Sequence, residues 1–115
     1  MADKLLFVIV SSNPESEAEL CSILSQAKVA AAMEFDVEVI FSGQCDVLAV
    51  KGLGEQSGII YSTFKEAHDN GVVFKVCPRP NVDWNNELLP EIDEVVGSAY
   101  IISEAMNEDT TSFTY

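Results

Sequence analysis

The chain has few basic residues, a single histidine and no hydrophobic run long enough to span a bilayer. Its 115 residues include 6 Lys or Arg against 19 Asp or Glu, which gives a formal net charge of −13. Binding to nucleic acid or to an anionic membrane needs clustered Lys and Arg, so this composition argues against both partners. The first apolar run, Leu5 to Val10, is short and is followed by Ser-Ser-Asn-Pro without a cleavage signal. We therefore expect neither export nor membrane insertion.

Cysteine is also scarce, with Cys21, Cys45 and Cys77 as the three thiols of the chain. An odd number at these spacings fits neither a disulfide framework nor a zinc site. We expect free thiols in a cytoplasmic protein, with no metal site and no cofactor.

The hydrophobic content is 48% of the residues, and apolar and polar runs alternate along the chain. A length of 115 residues is typical of one domain, so we predict a single domain over residues 1–115. This composition excludes a disordered chain despite the charge.

Apolar runs predict strands, and spaced apolar residues predict helices between them. Lys4–Val10 is typical of a strand covered on both faces, and Asn13 is expected to cap a helix from Pro14 to Met33. The other predicted elements are strands at Val37–Phe41, Val72–Val76, Glu94–Gly97 and Thr111–Tyr115, helices at Ile59–Asn70 and Ser98–Asn107, a helical start at Asp46–Val50 and a short helical segment around Glu87–Leu89. Alternating strands and helices indicate an α/β fold, a three-layer α/β/α sandwich around a mainly parallel sheet.

In such sheets, ligands and chemistry gather at the carboxyl ends of the strands. Three loops qualify: Ser11-Ser12-Asn13, Ser42-Gly43-Gln44-Cys45-Asp46 and Cys77-Pro78-Arg79-Pro80. Two of the three loops carry a thiol.

Cys77 has the more favourable surroundings of these two thiols, because a cation such as Arg79 stabilises thiolate over thiol. Cys45 lies beside Asp46, whose negative charge opposes ionisation. The alternative is that Cys77 is an inert small hydrophobe that fills a gap, as most free cysteines are.

The order of these parts resembles the DsrE/DsrF-like (DsrE/TusD) sulfur-relay family. The resemblance rests on a third strand ending in Cys77, the segment LLPEIDEVVGS from Leu88 to Ser98, and a closing hydrophobic strand. It implies a five-stranded, mainly parallel three-layer fold, association into homotrimers or homohexamers, and a persulfide-carrying cysteine at the position of Cys77. The Pro-Arg-Pro that follows Cys77 departs from the small-residue helical start of active carriers.

Two functions remain open from the sequence. The first is sulfur relay between donor and acceptor proteins, with Cys77 carrying the sulfur, Arg79 stabilising its anion and Cys45 as a secondary thiol. The second is a non-catalytic, oligomeric binding or regulatory module. Its small-ligand crevice would lie at the carboxyl edge of the strands, with Ser11, Ser12, Asn13 and Gly43 around it.

Overall fold

The structure is a computed structural model that describes residues 4–51, 58–79 and 87–115. Pro80 of the third predicted loop lies outside the described residues. The described elements, in chain order, are β1 (Lys4–Ile9), α1 (Glu17–Ala32), β2 (Asp36–Ser42), a 3-10 helix (Gly43–Ala49), α2 (Ile59–Asp69), β3 (Val73–Cys77), β4 (Ile92–Val95), α3 (Ser98–Ala105) and β5 (Thr110–Thr114).

The five strands form one sheet in the order β4-β3-β2-β1-β5, and every pairing between them is parallel. Helices α1 and α2 pack on one face of the sheet, where the main apolar cluster lies. Helix α3 packs on the other face, where Ile101 and Ala105 cover a smaller cluster of Leu6, Val8 and Ile40. The predicted α/β fold with three layers is therefore confirmed.

The larger cluster is centred on stacked aromatic rings of β2, α2 and β3. The ring centroids of Phe64 and Phe74 lie 4.3 Å apart, and Phe41 stacks on both rings at 5.5 and 5.7 Å. Each ring is at most 1% exposed, and burying a side chain of this size contributes about 1.5–3 kcal/mol. This packing holds α2 against the sheet and so fixes the loops at the strand ends.

The start of α1 differs from the prediction. Asn13 does not cap the helix: its side-chain Oδ1 accepts the backbone N–H of Glu15 at 2.9 Å and closes a turn. The helix instead begins at Glu17, with Ser16 as its N-cap residue. Asparagine favours both a cap and such a turn, and here the turn is formed.

The predicted helical segment around Glu87–Leu89 is wrong. Leu88 forms an antiparallel bridge with Val50, and the N–H of Leu89 donates to the carbonyl of Ala49 at 2.8 Å. Leu89 is 2% exposed, so pairing with a distant segment both satisfies the backbone and buries the side chain.

Candidate functional site

Loops from β1, β2 and β3 meet at the carboxyl edge of the sheet. The side-chain amide of Gln44 donates to the carbonyls of Ser11 and Ser12 at 3.1 and 2.9 Å, which joins the first two loops. Arg79 donates from its backbone N–H and from Nε to Oδ2 of Asp46 at 3.0 and 3.1 Å, which joins the second and third loops. The three loops expected from the sequence are thus connected to one another at the carboxyl ends of the strands.

Gly43 makes the close approach between the first two loops possible. Its φ is +54°, and a Cβ at this position would lie 2.9 Å from the Val10 carbonyl oxygen. Only glycine combines that backbone conformation with such a contact. Gly43 therefore packs against the end of β1.

Cys77 is a partly buried thiol at the end of β3, opposite Ser42 of β2. It packs beside the cluster of Leu6, Val8 and Ile40, on the face of the sheet that α3 covers. The strand end therefore holds Cys77 in an apolar setting, with part of the residue exposed to solvent.

Cys45 is sealed in the larger cluster on the opposite face of the sheet. Its Sγ donates to the Ser12 carbonyl at 3.0 Å. Burial raises the pKa of the Cys45 thiol to about 11, and the negative charges of Glu19 and Asp46 add to the effect. The structure does not bring Cys45 together with Cys77, and these surroundings suit a neutral packing thiol better than a secondary nucleophile.

Cys21 is the other partly exposed thiol. It lies on α1, with its Sγ 3.5 Å from Oγ1 of Thr63 on α2, whose hydroxyl donates to the Ile59 carbonyl at 2.8 Å. It therefore belongs to the contact between α1 and α2 rather than to the sheet edge.

Arg79 is bound to a fully buried carboxylate, since Asp46 has no exposed surface and lies 3.1 Å from Arg79 Nε. A buried carboxylate needs such a partner to offset the loss of hydration. The charge of Arg79 is thus directed at Asp46. The sequence had assigned Arg79 to the anion of Cys77.

The serine-rich first loop is only partly open to solvent. Ser11 and Asn13 are exposed, whereas Ser12 is 3% exposed and its Oγ has no hydrogen-bond partner among residues 4–51, 58–79 and 87–115. The first turn of α1 carries Glu17 and Glu19, whose charges disfavour a second anion there. These features make the loop a poor anion site.

A buried ion cluster, which the sequence did not predict, lies toward the opposite ends of the strands. Glu38 of β2 has 3% of its side chain exposed and accepts from Lys4 of β1 and Lys75 of β3, each at 2.6 Å. The Tyr100 hydroxyl of α3 donates to Glu38 Oε1 at 2.8 Å, so four elements meet at one carboxylate.

The cluster holds its groups in their charged forms. Burial alone would raise the pKa of Glu38, but hydrogen bonds from Lys4, Lys75 and Tyr100 outweigh burial and lower it. For Lys75, burial acts to lower the pKa, and its contacts with Glu38, Glu94 and Tyr100 raise it instead. Such a lysine stays protonated, so the cluster is a structural ion network and lacks a neutral amine nucleophile.

A cavity of about 220 Å³ opens beside this cluster, lined by Lys4, Glu38, Lys75 and the residues that begin β2 and β3.

A signal for the cluster was present in the sequence, because Glu38 and Lys75 interrupt apolar strands. A charged residue in a strand covered on both faces requires a partner.

Comparison of the chain with protein-family models and with curated proteins found no match. Within the described part of the chain, no helix combines the length and the apolar character needed to cross a membrane. The same residues contain no group of three or more His, Cys, Asp or Glu side chains placed to hold a metal ion.

Proposed function

We propose that this protein is a sulfur carrier of the DsrE/DsrF-like type, which accepts and passes on a persulfide sulfur through Cys77. The observation that supports the proposal is the position of Cys77, a partly exposed thiol at the carboxyl end of a central strand. Parallel sheets commonly meet their ligands and partners at that edge. Cys45 is buried and Cys21 lies in a helix contact, so Cys77 is the best placed of the three.

The proposed reaction is two thiol exchanges. The Cys77 thiolate attacks the outer sulfur of a donor persulfide, forming Cys77–S–SH while the donor's S–S bond breaks and the donor leaves as a thiolate. An acceptor thiolate then attacks the same outer sulfur, and Cys77 leaves as a thiolate. The sulfur changes carrier with no external oxidant or reductant.

The partners in this proposal are a sulfur donor protein and a sulfur acceptor protein. An acidic chain is suited to partners with basic patches, because opposite charge speeds their encounter. We further propose a cytoplasmic location, where thiols stay reduced, and the homotrimer or homohexamer that the family resemblance implies.

Persulfide loading tests the proposal directly. Incubation with a low-molecular-weight persulfide, followed by mass spectrometry of the intact protein and its peptides, should add one sulfur atom at Cys77. Cys77→Ser should abolish the gain, and Cys21→Ser is the matched control because Cys21 is also partly exposed. Equal loading of wild type and Cys77→Ser, or loading chiefly at Cys21, would contradict sulfur carriage through Cys77.

The pairing of Arg79 with Asp46 favours a second candidate, a non-catalytic binding or regulatory module of the same fold. The cation expected to stabilise the Cys77 anion is engaged by a buried carboxylate, while Cys77 packs beside an apolar cluster. In this case Cys77 contributes packing alone, and Cys77→Ala should keep the partners and oligomeric state of the wild type. Rapid reaction of Cys77 with iodoacetamide at pH 7, faster than Cys21, would count against this candidate.

A further inference from the structure

The two edges of the sheet differ in their protection against strand pairing. Edge strand β4 carries Asp93 and Glu94, and its register with β3 is shifted between Phe74 and Lys75. Charge and irregularity are common ways to keep an edge from pairing with another strand. The other edge strand, β5, has the sequence TTSFT, with neither a charged residue nor a proline.

The free side of β5 can be read from its hydrogen bonds. Tyr115 donates to Val8 and accepts from Val10, and Asp109 accepts from Lys4, so the odd-numbered residues bond to β1. Because backbone groups alternate along a strand, Ser112 directs its N–H and C=O away from β1. Ser112 is therefore the midpoint of an edge that no strand within residues 4–51, 58–79 and 87–115 covers.

An apolar groove of about 520 Å³ lies beside this edge, between α1 and β5. Met33, Val29 and Phe113 line it with 63%, 57% and 39% of their surfaces exposed. None of the described residues that line the groove is charged, although the chain as a whole carries a net charge of −13. Two copies of this acidic chain repel each other least where both present such a charge-free surface.

We propose that this edge is a homodimer interface, in which β5 pairs antiparallel with β5 of a second copy around a two-fold axis at Ser112. Each Ser112 exchanges two backbone hydrogen bonds with its counterpart, and the two sheets join into one of ten strands. Phe113 then lies opposite Thr111 of the second copy, an aromatic and β-branched pair of the kind that stabilises antiparallel strands. The two charge-free grooves adjoin on the same face of this sheet.

The dependence of binding on salt distinguishes pairing with a second copy of this chain from binding of a basic partner protein. Pairing of two acidic copies should tighten as ionic strength rises from about 0.02 to about 0.5 M, because salt screens their repulsion. Binding of a basic partner would weaken over the same range.

The first test replaces one backbone donor. Ser112→Pro removes the outward N–H and leaves the bonds to β1 intact, whereas the matched control Ser112→Ala keeps the donor. Of the homotrimer and homohexamer proposed above, this interface requires the hexamer, so sedimentation should show an even-numbered wild-type assembly built from such pairs. We expect Ser112→Pro to halve that mass or to weaken dimerisation at least about tenfold, and Ser112→Ala to leave it unchanged.

A second test holds even if Ser112→Pro fails to fold. Hydrogen-bonded antiparallel partners have Cα atoms about 5.5 Å apart, which suits a disulfide. Ser112→Cys should cross-link to a dimer on mild oxidation much faster than Thr111→Cys, whose counterpart is displaced along the strand. A monomeric or trimeric wild type, no effect of Ser112→Pro, or equal cross-linking of the two cysteine variants would overturn the proposal.

Discussion

Removing the carboxylate at the centre of the ion cluster gives the sharpest stability prediction. Glu38→Gln keeps the shape of the side chain and removes its charge. The amide has a single oxygen, so it can accept from only one of Lys4 and Lys75, each of which now has a carboxylate oxygen at 2.6 Å. Breaking a buried ion pair by removing one partner costs about 3–5 kcal/mol.

Other contacts of the two lysines reduce the expected cost of Glu38→Gln in this protein. The Lys4 side chain is 25% exposed and keeps Glu104 at 3.4 Å, and Lys75 keeps Glu94 at 2.9 Å and the Tyr100 hydroxyl. Both lysines therefore retain some compensation. We expect Glu38→Gln to lower the free energy of unfolding by about 2–4 kcal/mol at pH 7.

Urea denaturation of wild type and Glu38→Gln between pH 3 and 8 measures this cost and its pH dependence. Because the folded-state pKa of Glu38 is lowered, its contribution is complete above the unfolded carboxyl pKa of about 4.3. The contribution is lost as the pH falls through the lower, folded pKa. The gap between the two proteins should therefore be constant from pH 8 to about 5 and shrink below about pH 4.

Glu104→Gln is the matched control, because Glu104 contacts the same Lys4 from a more exposed position. It should cost less than about 1 kcal/mol. A cost below about 1 kcal/mol for Glu38→Gln at pH 7, or a cost that is the same at pH 3 and pH 7, would refute the assignment of a charged network that stabilises the fold.

Local patterns were sufficient to predict the order of the strands and helices in the chain. The third strand was predicted at Val72–Val76 and lies at Val73–Cys77, because a run of β-branched and aromatic residues favours an extended chain whatever surrounds it. The parallel sheet followed from the alternation of strands with helices. The meeting of the three loops at one edge followed from the sheet.

The features that the sequence did not predict depend on contacts between segments that lie far apart in the chain. The bridge of Leu88 to Val50 joins residues 38 positions apart, so a local pattern of apolar residues before Pro90 looked helical. Likewise, alternation alone places Glu38 and Lys75 on one face of their own strands. Their contact depends on the register in which Ile40 pairs with Lys75, and a single strand does not contain that information.

The candidate site shows the same division. The sequence placed Cys77 correctly at a strand end, but the partner of Arg79 is Asp46, a residue 33 positions away that the fold buries completely. Nearness in sequence suggested that Arg79 served Cys77. Arg79 instead pairs with Asp46, because leaving a buried carboxylate without a cation costs far more free energy than leaving a partly exposed thiol without one.

Two further predictions concern the packed loops at the carboxyl edge of the sheet. The folded pKa of Cys45 is raised from 9.0 to about 11, so the stability that comes from its neutral thiol is complete below pH 9 and is lost as the pH rises toward 11. The stability gap between wild type and Cys45→Ala should narrow over that range, and a gap that stays constant would contradict the raised pKa. Gly43→Ala should cost about 1–3 kcal/mol, because its Cβ would meet the Val10 carbonyl oxygen at 2.9 Å in addition to the strain of a positive φ. Thermal denaturation measures this cost, and a Gly43→Ala protein as stable as the wild type would contradict it.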